Sequence, residues 1–434
     1  MTGRILRRAA LAAGAILACA ASGAGAQDRA TAFTGATIHT MAGPVIENGT
    51  LVIQDGRIVA VGADVAVPTD ADTRDASGMV IMPGIVDTHS HIGSVAGADR
   101  SSPIQPDVRA MDAINPKDAS IAKARAGGVT TANVMPGSGW LVSGQTFYMR
   151  LRDGDTVEDI AWYFPDGAVM GGLKMANGTN PIGATPGFPG TRAKSAALVR
   201  AAFAEAQGYC KGDRKKVDLG KEALCEVLSG KRLVHFHTHR ADDIMTVLRL
   251  QREFGFKVLI QHGMEAWKVA EELAAAGIPV SNILVDSPGG KLEAMESRLE
   301  TAGILERAGV LTSLHSDDGI IDSRLMFRQA GIAVRGGMSR NGALRALTIN
   351  GAKQLGLDDR VGSLEPGKDA DFLILDGDPL SVYTDLMETW VEGRKLFDRS
   401  TEEGRLMAEG GYGAGDPMEL AHHHWEVAEA ETAQ

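Results

Sequence analysis

Apolar and polar residues alternate in short runs through residues 32–82, as in ATIHTM, GTLVIQDGRIVAVG and MVIM, with turn residues between them. A period of two broken by turns predicts a small sheet domain. From Gly84 to about Asn350 the pattern changes. Short apolar runs (GIVDTHSH, GVTTANVMP, KRLVHFHTH, FKVLIQHG, GIPVSNILVD, GVLTSLHSD) alternate with stretches at helical spacing. One such stretch is SAALVRAAFAEAQGY, behind a Ser cap at 195; another is AWKVAEELAAAG, which stops at Gly277. Such alternation is the mark of parallel βα units, and about eight of them predict an α/β fold of the (β/α)8 TIM-barrel kind. After Asn350 strand-like runs return in RVGSLEPGKDADFLILDGD and TWVEGRKLFD. Both ends of the chain are therefore expected to build one small β-sandwich domain, from residues 27–83 and 351–400, around a barrel of residues 84–350. Residues 401–434 are Gly- and Glu-rich without a clear period and read as a C-terminal tail, in which His422, His423 and His424 suit a solvated terminus.

Residues 1–26 have another character. Arg4, Arg7 and Arg8 precede an Ala-rich apolar stretch, and Ala24-Gly25-Ala26 supplies small residues for cleavage before Gln27. This is the layout of a secretory signal peptide, too short for the ~20 apolar residues of a membrane span. The run around Cys19 also has the form of a weak lipoprotein box, so the expected location is periplasmic or secreted, with lipid attachment at Cys19 left open. The 434-residue chain carries a formal charge of −11, and the leader takes three positive charges with it. So acidic a chain is a poor match for nucleic acid and points to a small-molecule substrate; homo-oligomerisation stays open. Of three cysteines, Cys210 and Cys225 remain beyond the leader. They are expected either as one bridge, supported by an oxidising compartment, or as two free thiols.

The candidate chemistry lies where the apolar runs end. His89 and His91 follow IMPGIVD, two positions apart, so both imidazoles face one side of a strand. His235, His237 and His239 repeat that spacing after KRLV. His235 would sit deepest as a hydrogen-bonded core residue, His237 at the rim as a ligand, and His239 beyond it, against substrate. His262 follows KVLI about one βα unit later, and Asp317 stands in LTSLHSDDG with His315 a layer below and Asp318 facing away. Imidazoles and a carboxylate at the ends of separate strands suit a borderline divalent ion such as zinc. One carboxylate oxygen can hold the metal while the other takes a proton from bound water, whose pKa the ion lowers to ~7.

With ENGTLVIQDGRIVAVG, VIMPGIVDTHSH, AGGVTTANVMPGS, HFHTHRADDI, LIQHG, SLHSDD and NGAKQLGLDDRVGSLEPGKDADFLILDGDPL in this order, the chain resembles the amidohydrolase superfamily, in its imidazolonepropionase-like or Xaa-dipeptidase-like branch. The resemblance implies a barrel with a β-sandwich and hydrolysis by a metal-bound hydroxide. It puts the family's first-strand pair on His89 and His91, its strand-five and strand-six histidines on His237 and His262, and its strand-eight aspartate on Asp317, the general base. Lys174, in GGLKMANG, falls where binuclear members carry a carboxylated lysine bridging two ions. An uncarboxylated lysine beside a single ion is the other reading. Members that deaminate bases place Glu three residues after the strand-five histidine; Arg240 stands there instead.

The expected function is thus exported, metal-dependent cleavage of an amide C–N bond in a dipeptide, N-acyl amino acid or cyclic amide. A deaminase of the same superfamily and a non-catalytic periplasmic binding protein are the alternatives. The Gly- and Pro-dense stretch NGTNPIGATPGFPGTR reads as a lid. Its Arg192, with Arg240, could clamp a substrate carboxylate, unless both are plain surface charges. Trp140, in PGSGWLVSG, is expected to wall the pocket.

Overall fold

The computed structural model describes residues 29–95, 97–99, 101–183, 188–284 and 291–410. The leader with Cys19, and His422, His423 and His424, lie outside them. In chain order the strands are β1 (Thr31–Ile38), β2 (Ile46–Gln54), β3 (Arg57–Gly62), β4 (Asp72–Asp75), β5 (Val80–Pro83), β6 (Ile85–Ser90), β7 (Val129–Val134), β8 (Val142–Gln145), β9 (Phe147–Arg150), β10 (Leu173–Ala176), β11 (Val234–Thr238), β12 (Val258–His262), β13 (Val280–Asn282), β14 (Thr312–Leu314), β15 (Phe372–Leu375), β16 (Leu386–Val391) and β17 (Arg394–Asp398).

Both ends of the chain meet in one eight-stranded sheet, ordered β17-β16-β15-β5-β1-β2-β3 with β4 beside β1. The seam is antiparallel, with Phe372 opposite Pro83 and Leu375 opposite Val80. Phe33 from one end packs edge-on against Phe372 and Trp390 from the other, at 5.2 and 5.3 Å between ring centres. Arg74 lies over the Phe33 and Trp390 rings and forks onto Glu388 at 2.7 and 3.0 Å, so the contact between the chain ends is apolar, cationic and charge-paired together.

Between the ends, β10 to β14 run parallel in chain order, and β6 pairs parallel with β7. Every residue of β6, β7, β11 and β12 is buried, as expected for strands covered on both faces. β14 comes alongside β6 through the Thr88 and Ser313 hydroxyls, 3.2 Å apart, and through Asp317 N donating to His89 O at 2.9 Å. One departure from uniform βα units occurs between β7 and β10. There β9 runs antiparallel to β7 and β8 antiparallel to β10.

The helices differ from expectation at two ends. Arg192–Lys211 begins at Thr191, whose hydroxyl accepts from Lys194 N at 3.1 Å, while Ser195 bonds back to Thr191 O. The tail expected to be without regular structure starts with a helix, Glu402–Glu409, capped by Thr401. Its polar sequence hid the period, but Arg405 reaches Glu402 and Glu409 one turn away on either side, both at 2.8 Å. Cys210 and Cys225 are bridged, with Cα atoms 5.7 Å apart, tying Arg192–Lys211 to the helix Leu219–Leu228. No helix among the described residues is long and apolar enough to cross a membrane.

Candidate metal centre

The C-terminal ends of the parallel strands carry the polar residues singled out above. His89 lies on β6, Lys174 on β10, His237 on β11 and His262 at the end of β12, while Asp317 follows β14. Lys174 stands in register with His235, one rung below the Ala176–His237 pair. Its long side chain climbs that rung and brings Nζ to 3.1 Å from His89 Nε2. Neighbouring strand residues face opposite ways, so Gln261 and His262 should diverge. Gln261 Oε1 accepts from His89 Nδ1 at 3.2 Å, yet the His262 ring also lies 4.8 Å from that of His89. The backbone resolves this: His262 has φ 70° and Gly263 φ 56°, so the strand turns left-handed at its last residue and re-aims the imidazole. Asp317 is left-handed too, at φ 50°. Strained backbone of this kind collects at functional sites.

Hydrogen bonding shows what the cluster lacks. His89 and His91 each donate Nδ1–H to a carbonyl oxygen, Gln261 Oε1 at 3.2 Å and Met135 O at 2.8 Å. Both Nε2 atoms face Asp317 Oδ1, at 3.2 and 3.0 Å. Lys174 Nζ also reaches that of His89. Elsewhere both ring nitrogens of His237, both of His239 and Nε2 of His262 are buried with no partner among the described residues. Burial, reinforced by Lys174, holds the pKa of His89 well below the imidazole range; burial also lowers His262 well below it and His239 to about 3. Protons thus do not supply the missing positive charge. Burial pushes the Asp317 carboxyl up, but the pull of His89, His91 and His262 outweighs it and holds that group well below the carboxylate range. Buried imidazole nitrogens without partners and an ionised carboxylate form a donor set that fits a cation. Ligand atoms lie within 4.8 Å of one another in His89, His91 and Asp317, in His89, His262 and His315, and in His237, His239 and Glu293.

The other candidates have these places. His235 is a core residue as expected, bonded to Asn133, Gln261 and Tyr148 at 3.1 to 3.2 Å. His239 stacks on His262, with ring centres 5.1 Å apart. His315 lies under the cluster, its Nδ1 on Ser281 Oγ at 2.6 Å. Asp318 bonds Ser323 and pairs with Lys123, away from the centre. The two expected carboxylate clamps are engaged by the protein itself. Arg192 is held by Asp243 at 2.9 Å and Glu293 at 3.4 Å, and Arg240 by Asp242, two residues on, at 2.9 Å. Trp140 is buried, and its carbonyl accepts from Ser143 Oγ. Sequence reasoning missed Glu293, buried beside His237 and His239, and Lys291, whose charge adds to the burial that lowers the pKa of both histidines. It also missed Gln261, which orients His89. The adjacency of Gln261 to His262 was a readable signal; nothing in LEAMESRLE marked Glu293.

Comparison with known proteins follows the same lines. The amidohydrolase family pattern matches residues 226–395. A solved amidohydrolase from Thermotoga maritima MSB8 is 35% identical over 85% of this chain and 100% of its own, with a TM-score of 0.80. Amidohydrolase tasK of Hapsidospora irregularis is 28% identical over 82% of this chain, which spans 40% of that protein's length. A 5-methylthioadenosine/S-adenosylhomocysteine deaminase of Symbiobacterium thermophilum is 26% identical over 84% of this chain and 92% of its own.

Proposed function

This chain belongs to the amidohydrolase superfamily, and from that premise we propose that it hydrolyses the amide C–N bond of a dipeptide, an N-acyl amino acid or a cyclic amide. One observation carries this reading: unpartnered imidazole nitrogens and an ionised carboxylate gather at the ends of separate strands, in groups whose ligand atoms lie within 4.8 Å of one another. His89, His91, His237, His262 and Asp317 would hold the metal. Bound there, one or two divalent ions such as zinc supply Lewis-acid polarisation and acidify water. Asp317 takes a proton from the attacking water and returns it to the leaving nitrogen. His239, neutral at working pH, donates a hydrogen bond to the carbonyl oxygen as charge develops there.

Lys174 is fully buried, with no carboxylate at ion-pair distance among the described residues, and burial pushes its amine down to about 7. A neutral amine is the form that adds carbon dioxide: the N–C bond forms and a proton leaves. On that ground Lys174, once carboxylated, would join the histidines and Asp317 in holding the metal and would supply a further anionic oxygen donor. The deaminase reading is disfavoured by Arg240, which lies where a glutamate would be needed and turns to Asp242. Strands β6 to β14, with β8 and β9 together counted as one stave, are read as a closed eight-stave barrel over 84–350, with the sheet of 27–83 and 351–400 as its β-sandwich satellite. Export is supported by the Cys210–Cys225 bridge, which persists in oxidising compartments.

The deciding experiment offers dipeptides, N-acyl amino acids and cyclic amides to purified zinc-loaded protein. Turnover of one class, abolished by a chelator, is the expected result. Ammonia release from aminopurines with no amide cleavage favours deamination; absence of stoichiometric metal favours a binding protein.

A further inference from the structure

At the opposite ends of the same strands lies a cavity of about 540 Å³. Its wall includes Gly171, Leu233 and Lys257, which precede β10, β11 and β12. The five residues of β12, at roughly 3.3 Å each, put about 16 Å between this cavity and His262. It is a separate place from the histidine cluster.

Its lining is aromatic and cationic together. Trp162, Tyr163 and Phe164 follow one another in the wall, and Tyr163 is 43% exposed. Four cations stand around them, but two are already neutralised. Lys231 pairs with Asp166 at 2.7 Å and Glu226 at 3.5 Å, and Arg360 with Asp369 at 2.8 Å. Lys257 and Lys353 carry no ion pair among the described residues. Exposed Asp359 is the single acid of the lining, so one positive charge is left over. Lys231 lies 5.2 Å over the Phe164 ring and Arg360 5.4 Å over that of Trp162, so the paired cations brace the aromatic wall. A volume within the roughly 300 to 1,000 Å³ of small-molecule sites suits a ligand of one or two rings. We propose that this cavity is a binding site for a flat aromatic monoanion, its ring against Tyr163 and Phe164 and its carboxylate between Lys257 and Lys353.

The test is calorimetric titration of the full chain with 2-naphthoate. Saturable one-to-one binding is expected, at least tenfold tighter than that of the uncharged 2-naphthamide or of ringless acetate. The double variant Lys257→Gln/Lys353→Gln, both at exposed positions, should melt like the parent and bind 2-naphthoate at least tenfold more weakly. Asp359→Asn should tighten binding about threefold. Lys291→Gln is the control for capture at the histidine cluster and should leave the affinity for 2-naphthoate at the parental value. Failure of 2-naphthoate to bind, equal binding of the amide, indifference to the double variant, or loss of binding in Lys291→Gln would each overturn the proposal.

Discussion

Asp317 sits where three influences meet: burial that favours its acid form, imidazoles that favour its anion, and a left-handed backbone that fixes its aim. Replacing it with asparagine keeps the volume and removes the proposed base. Asp317→Asn should therefore fold, with an unchanged circular dichroism spectrum, and lose turnover by about 10² to 10⁴; near-parental turnover would end its assignment as base. A second buried carboxyl gives a pH prediction. Burial raises Asp371 to about 7, although its Oδ1 accepts from Glu392 N at 2.8 Å. The folded protein holds this proton more tightly than the unfolded chain. The stability it contributes is therefore fully present below the ordinary carboxylate pKa and lost as pH rises through about 7. Asp371→Asn keeps an acceptor for Glu392 and should flatten the fall in melting temperature between about pH 5 and 8. The identities of His89, His91, His237, His262, Lys174 and Asp317 were readable at this scale, because each follows or interrupts an apolar run. The aim of His262 was not, because a left-handed strand end obeys no period.

The elements were legible where their period was strong, as in β6, β11 and β12. They were illegible elsewhere: β8 and β9 run antiparallel to β10 and β7 inside an otherwise parallel series, and Glu402–Glu409 is a helix held by charge pairs. Two predictions belong here. An alanine Cβ at Gly263 would meet Ala266 and Val280 at 3.2 Å while being held at φ 56°. Gly263→Ala should cost about 1–2 kcal/mol and weaken metal retention through His262; unchanged values of both would show that the turn does not position that imidazole. Reduction of Cys210–Cys225, which closes a loop of 15 residues, should lower stability by ~3 kcal/mol in denaturant titrations with little effect on turnover, since the bridge joins two outer helices.

At the scale of the molecule, the donor groups come from strands spread between His89 and Asp317, so a bound ion would cross-link most of the chain between them. A metal held this way would bind the folded state alone, and its free energy would add to folding. Exhaustive chelation should lower the melting temperature by several degrees, and zinc should restore it; a melt indifferent to chelation would mean that these histidines hold no ion.

By itself the sequence determined the alternation of strands and helices, the return of the chain end to the opening sheet, and the residue types that gather at strand ends. All three follow from local periodicity and from chemistry carried by single residues. Only the tertiary structure decided that Arg192 and Arg240 are spoken for by Asp243, Glu293 and Asp242, that Glu293 and Lys291 stand beside His237 and His239, and that His89 and His91 turn Nε2 toward a carboxylate. Those depend on distances between segments far apart in the chain, which no pattern along it encodes.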